Sequence, residues 1–130
     1  MIYVDSSALV KLVLSERESA ALEHWIDERA DVPHVSSELV QVEVPRAVMR
    51  AAPVALLHAR EVLDRVGGVS LSPRILETAA TLQPPALRSL DAVHLASALL
   101  LRRDLTAFVA YDDRLLAAAK ALGLPVEQPT

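Results

Sequence analysis

The chain reads as an α/β protein: a central parallel sheet of about five strands with helices on both faces. Three observations predict this. Met1-Ile-Tyr-Val4 and Thr106-Ala-Phe-Val-Ala-Tyr111 each contain an unbroken apolar run, the pattern of a strand buried on both faces. Each run is followed at once by an aspartate and then by good helix formers. Between the two, short strand-like stretches alternate with segments of helical spacing. The 130 residues are enough for one domain with its own core, and the 52% hydrophobic but only 3% aromatic composition makes that core Leu, Val and Ala.

Taken in order, Ile2-Tyr-Val4 is the first strand, and Ser6 or Ser7 can cap the helix begun by Ala8-Leu-Val-Lys11. A second helix places Leu22, Trp25 and Ile26 on one face. Val32-Pro-His-Val35 is expected as a short strand, and Ser36-Ser37 as the cap of a helix through Glu38, Val42 and Glu43, bent at Pro45. Pro53 opens the next helix, which is expected to run to Val66 and to stop at Gly67-Gly68. Val69-Ser-Leu71 is a brief strand, and Ser72-Pro73 opens the following helix as cap and first residue. Residues 83–89 form a loop, and Ser89 is expected to cap the helix that carries Asp91, His94 and Ser97. After the strand ending at Tyr111, a helix over 114–122 ends at Gly123, and Leu124-Pro-Val-Glu127 is a last short strand. No internal repeat, low-complexity segment or linker interrupts the 130 residues.

Composition excludes several classes. A net charge of −4 removes the global basic field of a passive nucleic-acid-binding module, though bound cations can reverse the sign locally. With no cysteine there is neither disulfide nor thiolate metal site, which fits a reducing compartment. No signal peptide is expected, and the longest apolar run, 92–101, is too short to span a bilayer and is broken by His94 and Ser97. A cytoplasmic protein without membrane contact is expected.

The chemistry is sought at the carboxyl edge of the sheet, where open parallel α/β proteins bind ligands. Asp5 follows the first strand and Asp112 follows the strand ending at Tyr111, so two distant aspartates point to one edge. Asp91 lies in the first turn of its helix, and Glu43 just ahead of Pro45. Carboxylates brought together repel unless protons or cations intervene, and an all-oxygen cluster suits Mg2+ or Mn2+ and phosphodiester hydrolysis. Each acid has a structural alternative. Asp5 can cap the first helix, Asp91 can complement a helix dipole, Glu43 can pair with Arg46 or Arg50, and Asp112 or Asp113 can cap the last helix.

Rival chemistries lack their motifs. Gly67, Gly68 and Gly123 form no phosphate-binding loop, Ser6 and Ser7 have no glycine-flanked elbow, and Ser7 stands where an aspartyl-phosphate phosphatase needs a second acid. His24, His34, His58 and His94 have no ligand spacing, although His94 follows Asp91 by three positions and can face the same cleft.

Four segments carry a family resemblance: Tyr3-Val-Asp-Ser-Ser-Ala-Leu-Val-Lys11, Glu43-Val-Pro-Arg-Ala47, Leu90-Asp-Ala-Val-His-Leu-Ala96, and Tyr111-Asp-Asp-Arg-Leu115 with Gly123-Leu-Pro-Val126. In this order and spacing they resemble PIN-domain ribonucleases, specifically VapC toxins of toxin–antitoxin pairs. The resemblance implies a three-layer α/β/α PIN-like domain over residues 1–130 and a Mg2+- or Mn2+-dependent endoribonuclease. It maps the catalytic, metal-holding acids onto Asp5, Glu43, Asp91 and Asp112, with Ser7 as the small polar residue beside the first. Asp112 is preferred to Asp113 because it directly follows the strand. On this reading Asp5 and Asp91 are the primary ligands, Glu43 and Asp112 complete the site or hold a second ion, and water is the nucleophile. Lys11, Arg46 and Arg114 are candidates for steering phosphates. The resemblance further implies a structured RNA substrate (tRNA or rRNA), a cognate VapB-like antitoxin and a homodimer. The competing classes are a PIN-like scaffold without catalysis and a DNA-directed nuclease.

Overall fold

A computed structural model describes residues 1–130. In chain order its elements are β1 (Ile2–Val4), α1 (Ser6–Val13), α2 (Ser19–Asp27), β2 (His34–Ser37), α3 (Val40–Ala51), a short 3-10 turn (Pro53–Ala55), α4 (Leu56–Asp64), β3 (Gly67–Val69), α5 (Pro73–Ala80), α6 (Ser89–Leu100), β4 (Ala107–Val109), α7 (Asp113–Ala121) and β5 (Val126–Glu127). The strands form one sheet in the order β3-β2-β1-β4-β5, with every neighbouring pair parallel. β1 is central, as its apolar run implies.

Side chains alternate across the sheet and so divide the core in two. Ile2, Val4, Ala107 and Val109 face one layer, where they pack against Leu9 of α1, Leu22 of α2, Val44 and Val48 of α3 and Leu63 of α4. Tyr3, Phe108 and Ala110 face the other, against Leu95 and Ala98 of α6 and Leu115 and Ala119 of α7. The Tyr3 and Phe108 rings stack at 5.3 Å. α5 packs on α6 and completes this layer. The expected three-layer α/β/α arrangement is therefore present.

Several local expectations are corrected. β2 takes in Ser36 and Ser37, which pair with Gly68 and Val69 instead of capping α3. Ser37 Oγ accepts only from Leu39 N, within the turn before the helix. α4 ends at Asp64, and Gly67-Gly68, expected as its stop, form an edge strand instead. α3 runs as one helix through Pro45, the place where a bend is expected. Ser89 is the first residue of α6, preceded by Arg88, which makes no side-chain cap. Neither Ser6 nor Ser7 caps α1, whose N-cap is Asp5, while Ser72 Oγ accepts from Ile75 N at 3.2 Å and Gly123 takes the left-handed φ of +82° after α7.

The glycines give a contrasting pair of predictions. A Cβ at Gly123 meets no atom within 4 Å, so Gly123→Ala is penalised by backbone conformation alone, a loss of about 1–2 kcal/mol. Gly68 has equal room and no positive φ, so Gly68→Ala is expected to stabilise the edge strand by about 0.5–1 kcal/mol. Urea denaturation of the two variants checks both signs.

Candidate active site

Beyond Val4 the β1–β4 ladder extends by one more bond, from Asp5 N to Val109 O at 3.0 Å. The chain then turns into α1, with Asp5 as its N-cap: Oδ1 accepts from Ala8 N at 3.0 Å. The same oxygen accepts from Ser7 Oγ at 2.6 Å, and Ser7 Oγ in turn accepts from Tyr111 N at 2.9 Å. Ser7 therefore ties the end of β1 to the segment after β4. Asp5 is only 2% exposed, and its second oxygen has no protein hydrogen-bond partner.

Asp112 caps α7 through Oδ1, which accepts from Leu115 N at 3.0 Å. Its Oδ2 faces Arg88, whose Nη2 donates at 3.3 Å. Arg88 Nε lies 3.4 Å from Asp91 Oδ2, so one guanidinium spans both acids. Asp113 is the first residue of α7, and the capping bond is made by Asp112.

Glu43 pairs with neither Arg46 nor Arg50. Its Oε1 is 2.6 Å from His94 Nε2, and Ser6 Oγ donates to Oε2 at 3.4 Å. His94 is fully buried on α6, and its Nδ1 lies 2.8 Å from the Tyr3 hydroxyl. His94 thus acts as the partner of Glu43. Lys11 is engaged by Glu16 and Glu18 at 3.1 and 2.9 Å and lies over the Tyr111 ring. Arg114 lines a neighbouring cavity together with Asp91 and Asp112.

Asp5, Glu43, Asp91 and Asp112 all line one open cleft of about 800 Å³ at the carboxyl edge of the sheet. Arg46, Arg50 and Arg88 line it too. Burial drives the Asp5 carboxyl up from an ordinary 3.8 to about 6, against the opposing pull of the Ser7 hydroxyl and Ala8 N–H. The Asp91 carboxyl is also raised, first by desolvation and then by Asp112, with Arg88 opposing. Both groups sit where a negative charge is unwelcome without a cation.

The donor set fits a hard divalent ion. It is all oxygen, Asp5 keeps one oxygen unengaged, and a cationic group already bridges Asp91 and Asp112. No three carboxylate or imidazole groups close on a single point as they stand. Mg2+ needs no such closure, because it keeps several waters and takes one or two carboxylates directly.

The PIN domain family model matches residues 2–121. The chain is 45% identical to Ribonuclease VapC35 of Mycobacterium tuberculosis over 99% of its length and 97% of that protein. It belongs to the VapC group of the PIN-domain family. It is also 43% identical to Ribonuclease VapC46 of the same species, covering 99% of this chain and 98% of that one. Identity to Ribonuclease VapC47 is 40% over 99% of this chain and 97% of that one. A solved toxin–antitoxin complex from Klebsiella pneumoniae superposes on this VapC-group chain with a TM-score of 0.73, covering 100% of this chain and 98% of that one. Identity there is 22%, so the match speaks to the fold.

One residue of the cleft, Arg88, went unseen in the sequence, as did the partners of Tyr3 and His94; His94, expected to face the cleft, is buried outside its lining. Arg88 has a local signal, since it precedes Asp91 by three positions. Tyr3 and His94 have none, because their partners lie 91 and 51 positions away.

Asp5 generates a pH prediction. Its native pKa is raised, so the native chain binds more protons than the unfolded one between 3.8 and about 6. Stability therefore falls as pH rises through that window and stays lower above it. Asp5→Asn retains an oxygen for Ala8 N–H and Ser7 O–H but carries no charge. In EDTA, Asp5→Asn is expected to be more stable than the parent at pH 7.5 by up to about 3 kcal/mol, with the gap closing near pH 4. Denaturation at the two pH values measures it; an equal gap at both would refute the assignment of the cost to Asp5.

Proposed function

We propose that this chain is an endoribonuclease toxin that hydrolyses phosphodiester bonds of structured RNA, tRNA or rRNA, with Mg2+ or Mn2+. The observation that carries the reading is the convergence of Asp5, Glu43, Asp91 and Asp112, from four separate elements, on one cleft. Folding alone gives no reason to gather carboxylates so, since bringing like charges together is unfavourable. The family relatives named ribonucleases support the same reading. The whole chain is taken as one PIN-like domain working in the cytoplasm.

In this proposal Asp5 and Asp91 hold the cation, with Glu43 and Asp112 beside them. When bound, the cation supplies Lewis-acid charge that activates water and steadies the leaving oxygen. The chain's own part is positional. Ser7 and Ala8 N–H fix the Asp5 carboxylate, which leaves its second oxygen for the cleft. Arg46 and Arg50, one turn apart on α3 and in no ion pair, line the cleft within reach of substrate phosphates.

A cognate antitoxin of the VapB kind is the proposed inhibitor. Val42 and Leu90, 60% and 49% exposed, line the cleft and offer apolar contacts of use to a polypeptide. A homodimer is proposed from family resemblance, with the exposed Met49, Val54 and Leu57 available to it.

Purified parent is expected to cut cellular RNA at a few mapped sites in Mn2+ and not in EDTA. Asp5→Asn should lower the rate at least about 100-fold, the upper end of what loss of an outer-shell metal partner costs. Mn2+ should raise the melting temperature of the parent and leave that of Asp5→Asn unchanged. Equal cleavage by both proteins would remove Asp5 from the site. No Mn2+ response in either would favour the scaffold, and preferential digestion of single-stranded DNA in a parallel reaction would favour the DNA-directed enzyme.

A further inference from the structure

We infer that His94 is a positioning residue for the proposed nuclease, acting through Glu43 as the last link of a buried chain of hydrogen bonds anchored on β2. The inference rests on the nuclease reading for its functional consequence and on geometry for its existence. Ser37 N donates to the Tyr3 hydroxyl at 3.0 Å, the hydroxyl lies 2.8 Å from His94 Nδ1, and His94 Nε2 lies 2.6 Å from Glu43 Oε1. Tyr3 and His94 are both 0% exposed.

The direction of the two end bonds follows from the groups. An ionised carboxylate only accepts, so Nε2 carries a proton and donates it to Glu43. On the other side of the ring the Tyr3 hydroxyl lies 2.8 Å from Nδ1, and the hydroxyl oxygen accepts from Ser37 N–H. Tyr3 itself is fixed by stacking on Phe108 and by an edge contact to the imidazole at 5.9 Å. Every member is held by the next, back to the backbone of a paired strand.

For Glu43 the effect is to commit one oxygen. Oε1 is taken by His94, and Oε2 has only the long 3.4 Å contact from Ser6. Glu43 therefore presents a single oxygen to the cleft in a fixed direction, as a histidine–carboxylate pair does when it orients a group at a metal site. His94 touches neither the cleft nor any substrate in it, being absent from the lining.

The test compares the parent with His94→Leu, His94→Gln, Glu43→Gln and the double variant His94→Leu/Glu43→Gln, each checked for a cooperative melt. His94→Leu should lower kcat on RNA, and Mn2+ affinity read by water-proton relaxation, by about 10–100-fold with little change in KM. His94→Gln, whose amide offers an N–H near the place of Nε2, should recover most of both. In the Glu43→Gln background His94→Leu should add nothing further. A histidine that merely fills the core would add its loss in full and would be replaced as well by Leu as by Gln; either result overturns the inference.

If His94→Leu fails to fold, Tyr3→Phe keeps the shape, removes the hydroxyl and must show the same non-additivity with Glu43→Gln. A readout independent of RNA cleavage is the 15N–1H signal of His94 Nε2–H, which should be protected from exchange and should move in Glu43→Gln. Its presence in a chain that cuts no RNA would leave the hydrogen-bond chain standing and end the nuclease reading. RNA cleavage with that signal absent or unmoved would do the reverse.

Discussion

A carboxylate at the end of a central parallel strand has little access to water, and the arrangement of the cleft follows from that constraint. β1 is paired on both edges, so the position of Asp5 is set by backbone bonds to its neighbours and cannot relax outward. Two donors, Ala8 N–H and Ser7 O–H, both engage Oδ1, which offsets part of the desolvation and leaves Oδ2 without a protein partner. The residual penalty appears as the upward shift of the Asp5 carboxyl. A group held this way disfavours its own charge in the bare protein and favours it next to a cation. Stability forgone at the strand end is then available as affinity.

The other three acids are stabilised by different means. Asp112 takes the N-terminus of α7, where the dipole and Leu115 N–H favour an anion. Asp91 leans on Arg88, and so does the free oxygen of Asp112. That guanidinium is 78% exposed and its contacts are 3.3 and 3.4 Å, so screening leaves each pairing worth little. In the proposed nuclease Arg88 would thus yield the acids to a divalent cation at small cost. Glu43 is the opposite case, since its partner is a buried imidazole and not a mobile surface cation. The cleft therefore has a firmly held side, with Asp5 and with Glu43 backed by the buried His94, and an adaptable side at Arg88.

What the sequence made legible follows the strength of local signals. β1 and β4 were readable because a strand buried on both faces needs a continuous apolar run, and Ile2-Tyr-Val4 and Ala107-Phe-Val109 supply one. The aspartates after them were readable for the same reason, as were Ser72 as a cap and Gly123 as a terminator. β2 and β3 were misplaced because their local chemistry speaks for something else. Ser36-Ser37 is good helix-cap chemistry and Gly67-Gly68 a good helix stop, but pairing with β1 and with each other decides both. The roles of Tyr3 and His94 had no local trace: a hydrogen bond across 91 or 51 positions exists only once the layers have packed. Apolar spacing marked His94 as a helix residue and nothing in the spacing pointed to Glu43.

Tyr3 also explains how two helical layers on opposite faces of a sheet can serve one site. α3 packs on the face that receives Ile2 and Val4, and α6 on the face that receives Tyr3. Glu43 and Asp91 therefore belong to different cores, and no apolar contact alone would fix one against the other at the sheet edge. The bond from His94 to Glu43 crosses over that edge and joins α6 to α3 directly. Because His94 is anchored through Tyr3 to Ser37 of β2, the crossing is referenced to the sheet as well as to the two helices. Buried polar groups cost free energy unless every partner is met, and here each of the three side chains finds one. A polar chain through the core thus sets the spacing of acids drawn from both layers, a task for which dispersion contacts lack direction.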